Sequence, residues 1–135
     1  MAETIFSKII AGQVPCQRVF ESEHVLAFLD INPLAEGHTL VIPKRAVARL
    51  EELPADEAAE LGRSLGEVAR RVLRVTGAPG YNVLQNNGTA AGQEVAHVHF
   101  HIIPRHPGDG LGYRWHPKPA APEALAELAR RMTAD

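Results

Sequence analysis

The sequence predicts an α+β fold built around an antiparallel sheet. Several strand-like segments are mutually local in the chain, and two substantial helices stand apart from them. The clearest strand signal is His97-Val98-His99-Phe100-His101, followed by Ile102-Ile103-Pro104. Its strict alternation of imidazole with Val98, Phe100 and Ile102 is the period of a half-buried strand. The chain has 135 residues, 45% of them hydrophobic and 22% charged. That is one domain with enough apolar mass for a core of its own.

The elements follow in order. Thr4 to Ile10 reads as a short helix, because Ile5 with Ile9 and Phe6 with Ile10 pair at i, i+4 and Gly12 can stop it. Arg18–Phe20 and His24–Leu29 are strand-like on either side of a polar Glu21-Ser22-Glu23 turn. Asp30-Ile31-Asn32-Pro33 closes the second of them with turn residues. His38–Ile42 is another strand, ended by Pro43, and residues 44–52 have a mixed pattern compatible with a helix. A long helix is predicted from Pro54 to about Val75. Asp56 and Glu57 lie at its positive end, Leu61, Leu65, Val68, Val72 and Val75 recur along one face, and Gly77 stops it. Its arginines, Arg63, Arg70, Arg71 and Arg74, are expected to be solvated. Tyr81–Asn86 is a fourth strand-like run before the histidine row, which the loop Asn87–Glu94 precedes. From Pro107 to Pro122 prolines and glycines predict an irregular wrap over the surface. Pro122 then opens a terminal helix with Leu125, Leu128 and Met132 on one stripe. The division expected is a core at 4–105 and a C-terminal wrap and helix at 106–135.

Bulk properties exclude more than they select. A net charge of −2 with neutral histidines gives no electrostatic footprint for nucleic acid or a membrane surface. No apolar run approaches the ~18 residues of a membrane span. Cys16 is alone, so no internal disulfide forms, which fits a reducing compartment. The start Met1-Ala2-Glu3-Thr4 lacks a basic signal-peptide segment. A cytoplasmic location is expected.

Three imidazoles on one strand face, about 6.6–7 Å apart in succession, call for chemistry. A surface strand with incidental histidines accounts for one or two rings but poorly for three in alternation. Neighbours at i and i+2 can share a zinc ion. His97 and His101, however, would sit ~13 Å apart on a regular strand, too far for one ion with bonds of ~2 Å. A catalytic row is the better reading.

The run Gly92–Arg105 containing these histidines resembles the signature of the histidine triad (HIT) superfamily. Two distant segments carry the same resemblance: Ala27-Phe28-Leu29-Asp30-Ile31-Asn32-Pro33 and Gly37-His38-Thr39-Leu40-Val41-Ile42-Pro43-Lys44. The opening Ile5–Ile10, Gly108-Asp109-Gly110 and Trp115 are similar to the Hint-like branch. The resemblance implies a HIT-like fold with a five-stranded antiparallel sheet, a long helix and a shorter terminal helix. It also implies a C2 homodimer whose sheets join edge to edge, and hydrolysis of purine nucleoside 5′-phosphoramidates or related adenylates through a nucleotidyl-histidine intermediate.

The same resemblance assigns roles. His99 becomes the nucleophile, and a neutral imidazole suits attack on an anionic phosphorus centre. Its other ring N–H needs orienting, which a nearby backbone carbonyl can do. His97 and His101 are expected to position phosphate oxygens, with His101 assisting proton delivery to the leaving group. His38 matches a fourth histidine completing the phosphate site, although by itself it would pass for a satisfied strand residue. Asn86 is implied on the leaving side, and Gln93 with the Gly92–Glu94 backbone at the phosphate oxygens. Gly88 and Gly92 permit backbone conformations that gather N–H groups there. Asp30 is implied to accept the ribose hydroxyls; from the residues alone, capping of the Asn32-Pro33 turn is an equal reading. Ile5, Phe6, Ile9, Val14, Phe28 and Ile31 offer apolar walls, of which the resemblance selects Phe6, Ile9, Phe28 and Ile31 for the base. His24, His106 and His116 read as surface or turn residues.

Two departures bear on the chemistry. Glu94 stands where much of the branch carries a hydroxyl, and its carboxylate is expected to turn away from phosphate. Thr4 and Ser7 stand where some bacterial relatives carry a zinc-binding Cys-x-x-Cys pair, so neither a structural metal nor a cofactor is expected. Rival readings are a Fhit-like dinucleoside polyphosphate hydrolase, a nucleotidyl transferase, and a nucleotide-binding interaction module without turnover.

Overall fold

The computed structural model describes residues 3–112 and 115–134; Met1 and Ala2, where a leader would begin, lie outside them. The helix α1 (Ile5–Ile10) opens the fold, capped by Thr4 and Ser7. Thr4 Oγ1 accepts from Ser7 N at 3.2 Å, and Ser7 Oγ accepts from Thr4 N at 2.8 Å. The two hydroxyls thus satisfy amides that a helix start leaves orphaned.

Five strands follow: β1 (Arg18–Glu21), β2 (Val25–Leu29), β3 (Thr39–Pro43), β4 (Gly80–Gln85) and β5 (Phe100–Arg105). They form one sheet in the order β1-β2-β3-β5-β4, every pairing antiparallel. The long helix α2 (Ala55–Thr76) lies between β3 and β4 in sequence and ends on Gly77, whose φ of 66° is the left-handed cap position. Its N–H reaches Leu73 O at 2.9 Å. Residues 44–52 are not a helix; they carry only a short 3-10 turn at Leu50–Glu52.

The sheet separates two apolar layers. On one side Val25, Ala27, Val41, Val98 and Ile102 pack against Leu61, Val68 and Val72 of α2. On the other, Leu26, Phe28, Leu40 and Ile42 pack against Phe6 and Ile9 of α1. The period-2 pattern of each strand divides its residues between these layers.

Two expectations are corrected. Val75 does not join the core: it is 79% exposed, and in that last turn it is Thr76 that packs against Gly37. Arg71 is not merely solvated, since its guanidinium donates to Val19 O and lies 5.2 Å over the Phe20 ring. The terminal helix α3 (Pro122–Thr133) has no buried residue, so the stripe of Leu125, Leu128 and Met132 is not covered by the chain's own core. Segments 106–112 and 115–121 are irregular, as the proline and glycine content predicts.

Candidate active site

The α1 side of the sheet opens into a cleft of about 570 Å³. The expected apolar walls Ile5, Phe6, Ile9, Val14, Phe28 and Ile31 all line it, as do Asp30, His38, Asn86, Gly92, Glu94, His99 and His101. Segments separated by as many as 98 positions in the chain (Ile5 to Ile103) therefore meet at one surface. Sequence reasoning missed Leu34, Leu84, Ile103, Pro15, Cys16 and Val95. Two of these were within reach of it. Ile103 continues the His99–His101 alternation, and Leu84 is the cross-strand partner of His101.

The histidine row does not run as a regular strand. The β5 ladder begins at Phe100, and the chain before it is held from elsewhere: His97 N donates to Val95 O and Val98 N to Val47 O, both at 2.9 Å. The rings of His99 and His101 stand 5.1 Å apart, closer than a regular strand would set them. The edge of Phe6 meets His99 at 5.0 Å and His97 at 6.0 Å, so all three imidazoles do share a face.

Their environments differ. His99 Nδ1 lies 2.7 Å from His97 O; a carbonyl only accepts, so Nδ1 carries the proton and Nε2 keeps its lone pair. The orienting carbonyl expected for a nucleophile is thus supplied by His97's backbone. His97's own ring is fully buried and does not line the cleft. Its Nε2 donates to Pro43 O at 2.8 Å, and Nδ1 has no hydrogen-bond partner among the described residues. This corrects its expected place at the phosphate oxygens: the ring anchors the segment that presents His99. Burial holds the His97 imidazole below the usual range, with the Pro43 bond pulling the other way.

His38 sits at the end of β3, buried, with Nε2 2.9 Å from His101 Nδ1 and Nδ1 3.0 Å from Leu34 N. Burial lowers its pKa against the opposing pull of Asp30. His101 is pushed down to about 4 by burial and by the neighbouring His99 and His38. Desolvation makes the imidazolium expensive, so these rings work as neutral groups at pH 7.

The loop before the row is held by Gln93, whose expected contact with phosphate is also corrected. Its side chain is buried and spent on the protein: Oε1 accepts from Gly88 N at 2.6 Å, and Nε2 donates to Ala48 O and Val95 O. Gly88 and Gly92 adopt φ of 89° and 93°, the region the loop needs glycine for. Glu94 is exposed and is among the residues that line the cleft. Asp30 lines it too, and its Oδ1 accepts from Asn32 N at 2.8 Å. The capping and ribose-binding readings of Asp30 are therefore compatible, since Oδ2 remains on the cleft side, 3.6 Å from His38 Nε2.

Asp30, His38 and His101 offer ligand atoms within 4.8 Å of one another. A divalent ion there would have to break the His38–His101 bond, because both nitrogens of His38 are already engaged. A zinc site of the Cys-x-x-Cys kind does not fit, since the Thr4 and Ser7 hydroxyls are taken up in capping α1 and are not thiolates.

The sheet order and the cleft with its paired imidazoles agree with what comparison with known proteins finds. The HIT domain model matches residues 11–108, and the chain belongs to the HIT family. It is 55% identical over 106 residues to an uncharacterized HIT-like protein of Methanocaldococcus jannaschii, covering 78% of this chain and 81% of that one. It is 43% identical over 131 residues to an adenosine 5′-monophosphoramidase of Schizosaccharomyces pombe, covering 96% and 95%. The crystal structure of a HIT family member from Bacillus subtilis superposes with a TM-score of 0.92 at 41% identity, over 97% of this chain and 95% of that one.

Proposed function

We propose that this chain hydrolyses nucleoside 5′-phosphoramidates or related adenylates through a nucleotidyl intermediate on His99. The observation that carries the reading is the 2.7 Å bond from His99 Nδ1 to His97 O, which leaves Nε2 bare in a cleft where His101 stands beside it and His38 stands behind His101. The adenosine 5′-monophosphoramidase relative from S. pombe supports the substrate class.

In this mechanism the base lies among Phe6, Ile9, Phe28 and Ile31, and Asp30 accepts hydrogen bonds from the ribose diol. Nε2 of His99 attacks phosphorus, the N–P bond to histidine forms, and the substrate's own P–N bond breaks. Its electron pair leaves with the amine, which takes up a proton. His101 and the Glu94 backbone N–H hold the phosphoryl oxygens, the expected Gly92 and Gln93 N–H groups being spent on Thr89 O and Gly88 O, and Asn86 lies toward the leaving group. Water then cleaves the histidine adduct, releases the 5′-monophosphate and restores His99. Neither metal nor cofactor enters these steps.

The same proposal places residues 4–105 as the catalytic body, with 106–135 as an extension of a single domain. It also includes a homodimer joined at the edge strand β4. Tyr81 and Val83 on that edge are exposed, as is the apolar stripe of α3, and a second copy would cover such surface. A cytoplasmic location fits the lone Cys16, and no helix among the described residues is long and apolar enough to cross a membrane.

The test is a comparison of kcat/KM for adenosine 5′-phosphoramidate and diadenosine tetraphosphate with one preparation. Phosphoramidate is expected to be preferred; the reverse order would move the chain to the Fhit-like reading. Rapid-quench mass spectrometry should find the adduct on His99, and an adduct on His97 or His101 would defeat the assignment. Light scattering at micromolar concentration should give twice the chain mass.

A further inference from the structure

We propose that the backbone amide of Leu34, acting through His38, fixes His101 in the tautomer that carries its proton on Nε2. His99 and His101 then stand side by side in opposite tautomers, one presenting a lone pair to the substrate and the other an N–H. The functional meaning of this arrangement rests on the nucleotidyl-transfer reading above, but the arrangement itself does not.

The argument runs along one chain of contacts. A neutral imidazole has one donor and one acceptor nitrogen. Leu34 N lies 3.0 Å from His38 Nδ1, and a backbone amide can only donate, so Nδ1 accepts and the His38 proton sits on Nε2. That nitrogen is 2.9 Å from His101 Nδ1, which must therefore accept in turn. The remaining proton of His101 is left on Nε2. Reversing the chain would place an Nδ1–H of His38 head-on against the Leu34 N–H across 3.0 Å. Asp30 Oδ2, 3.6 Å from His38 Nε2, is an acceptor and favours the same proton position. His99 faces the opposite kind of backbone group, a carbonyl, and takes the opposite tautomer.

The amide is in no position to swing away. His38 N donates to Ala35 O, and Asp30 N donates to His38 O, both at 3.0 Å. Between them Gly37 adopts φ of 93°, packed so closely that a Cβ would lie 2.6 Å from Thr76 Cγ2. His38 is 3% exposed, so water has little room to replace a lost partner. An amide does not release its proton at neutral pH, so the chain is a polarity lock and not a wire for protons. His101 contributes a directed hydrogen bond to developing charge, and His38 acts as a positioning residue, not a phosphate ligand. Asp30 and His99 are the other titratable groups facing the pair.

The test reads tautomers directly. Long-range ¹H–¹⁵N correlation spectra of the native full-length enzyme at pH 7, without substrate, are assigned with single-histidine variants. His101 should show a protonated Nε2 and an accepting Nδ1, and His99 the reverse. A protonated Nδ1 on His101, or an imidazolium, would overturn the proposal. In His38→Leu the lock is gone: His101 should become a tautomer mixture, and kcat should fall about 100-fold with KM changed by less than about threefold. His38→Gln, which keeps a donor toward His101, should recover about tenfold of that loss. An unchanged His101 spectrum in His38→Leu would show that something else sets the tautomer. Should that variant not fold, the native spectrum and His38→Gln decide alone. Failure to trap a His99 adduct would defeat the proposed reaction and leave these spectra untouched, so the two failures are separable.

Discussion

The cleft histidines and His24 are the same residue type under opposite rules. His38, the partly buried His101 and, beneath the cleft, the buried His97 are bonded to carbonyls, an amide or one another, and desolvation pulls all three below the ordinary imidazole value. His24 lies on the β1–β2 turn, partly exposed. Its Nδ1 is 2.8 Å from Glu60 Oε1, and that bond raises its pKa. A carboxylate partner makes a histidine a cation; neutral backbone partners keep it uncharged and decide which nitrogen holds the proton. The expectation that His24 is a surface or turn residue is met, but it also clasps α2 to the β1–β2 turn through Glu60.

Removing the nucleophile should give the largest effect. His99→Ala is expected to lower turnover at least about 10⁴-fold while AMP still binds, because the apolar walls and Asp30 remain. Comparable binding by calorimetry with no adduct would sustain the assignment; full activity would end it. Next is the turn that holds His38. In Gly37→Ala, strain at φ of 93° and the 2.6 Å approach to Thr76 Cγ2 should cost about 2–3 kcal/mol in urea unfolding. A loss under about 0.5 kcal/mol would show that the turn is looser than its packing implies.

Much of this was legible because it is local. The alternation through residues 98–103 places Val98, Phe100 and Ile102 toward α2 and His99, His101 and Ile103 toward the cleft, and Gly77 ends α2 where the sequence says it should. What escaped depends on distant partners. Nothing near His97 announces that Pro43 O will take its Nε2, or that the β5 ladder will stop at Phe100 and leave the preceding residues to bend inward. Gln93 resembles a phosphate ligand until Ala48 O, 45 positions away, claims its amide. The α3 stripe has the period of a core helix, and period alone cannot say which surface covers it.

Acid should separate the two kinds of histidine. Proton NMR titration is expected to find His101 charging near pH 4 and His24 above 6.5. A ring whose folded pKa is lowered binds its proton more readily when unfolded. Stability therefore begins to fall as pH drops below about 6.5, and the loss attributable to His101 is complete only near 4. His38 and His97 act in the same direction. Thermal unfolding midpoints that stay level between pH 7 and 5 would contradict the neutral state assigned to the cleft.

The smallest effect should come from breaking the clasp. Glu60 is lowered to about 2, by bonds from the Ser22 hydroxyl first and then from His24, so its contribution is full above its ordinary value of 4.5 and lost as pH falls through about 2. His24 has the opposite sign: its raised pKa makes a contribution that is full below 6.5 and disappears as pH rises through the folded value. The two overlap between about pH 4.5 and 6.5. His24→Leu should therefore lower the unfolding midpoint by a few degrees at pH 5.5 and by less at pH 9. The cleft histidines titrate in both proteins and cancel from that difference. Solvent screening limits the effect, since the His24 side chain is 38% exposed, and the Ser22 hydroxyl and His24 N still hold Glu60. Activity at pH 7.5 should be unchanged, because no residue of the clasp lines the cleft. A midpoint difference as large at pH 9 as at pH 5.5 would mean that His24 contributes by packing and not by charge.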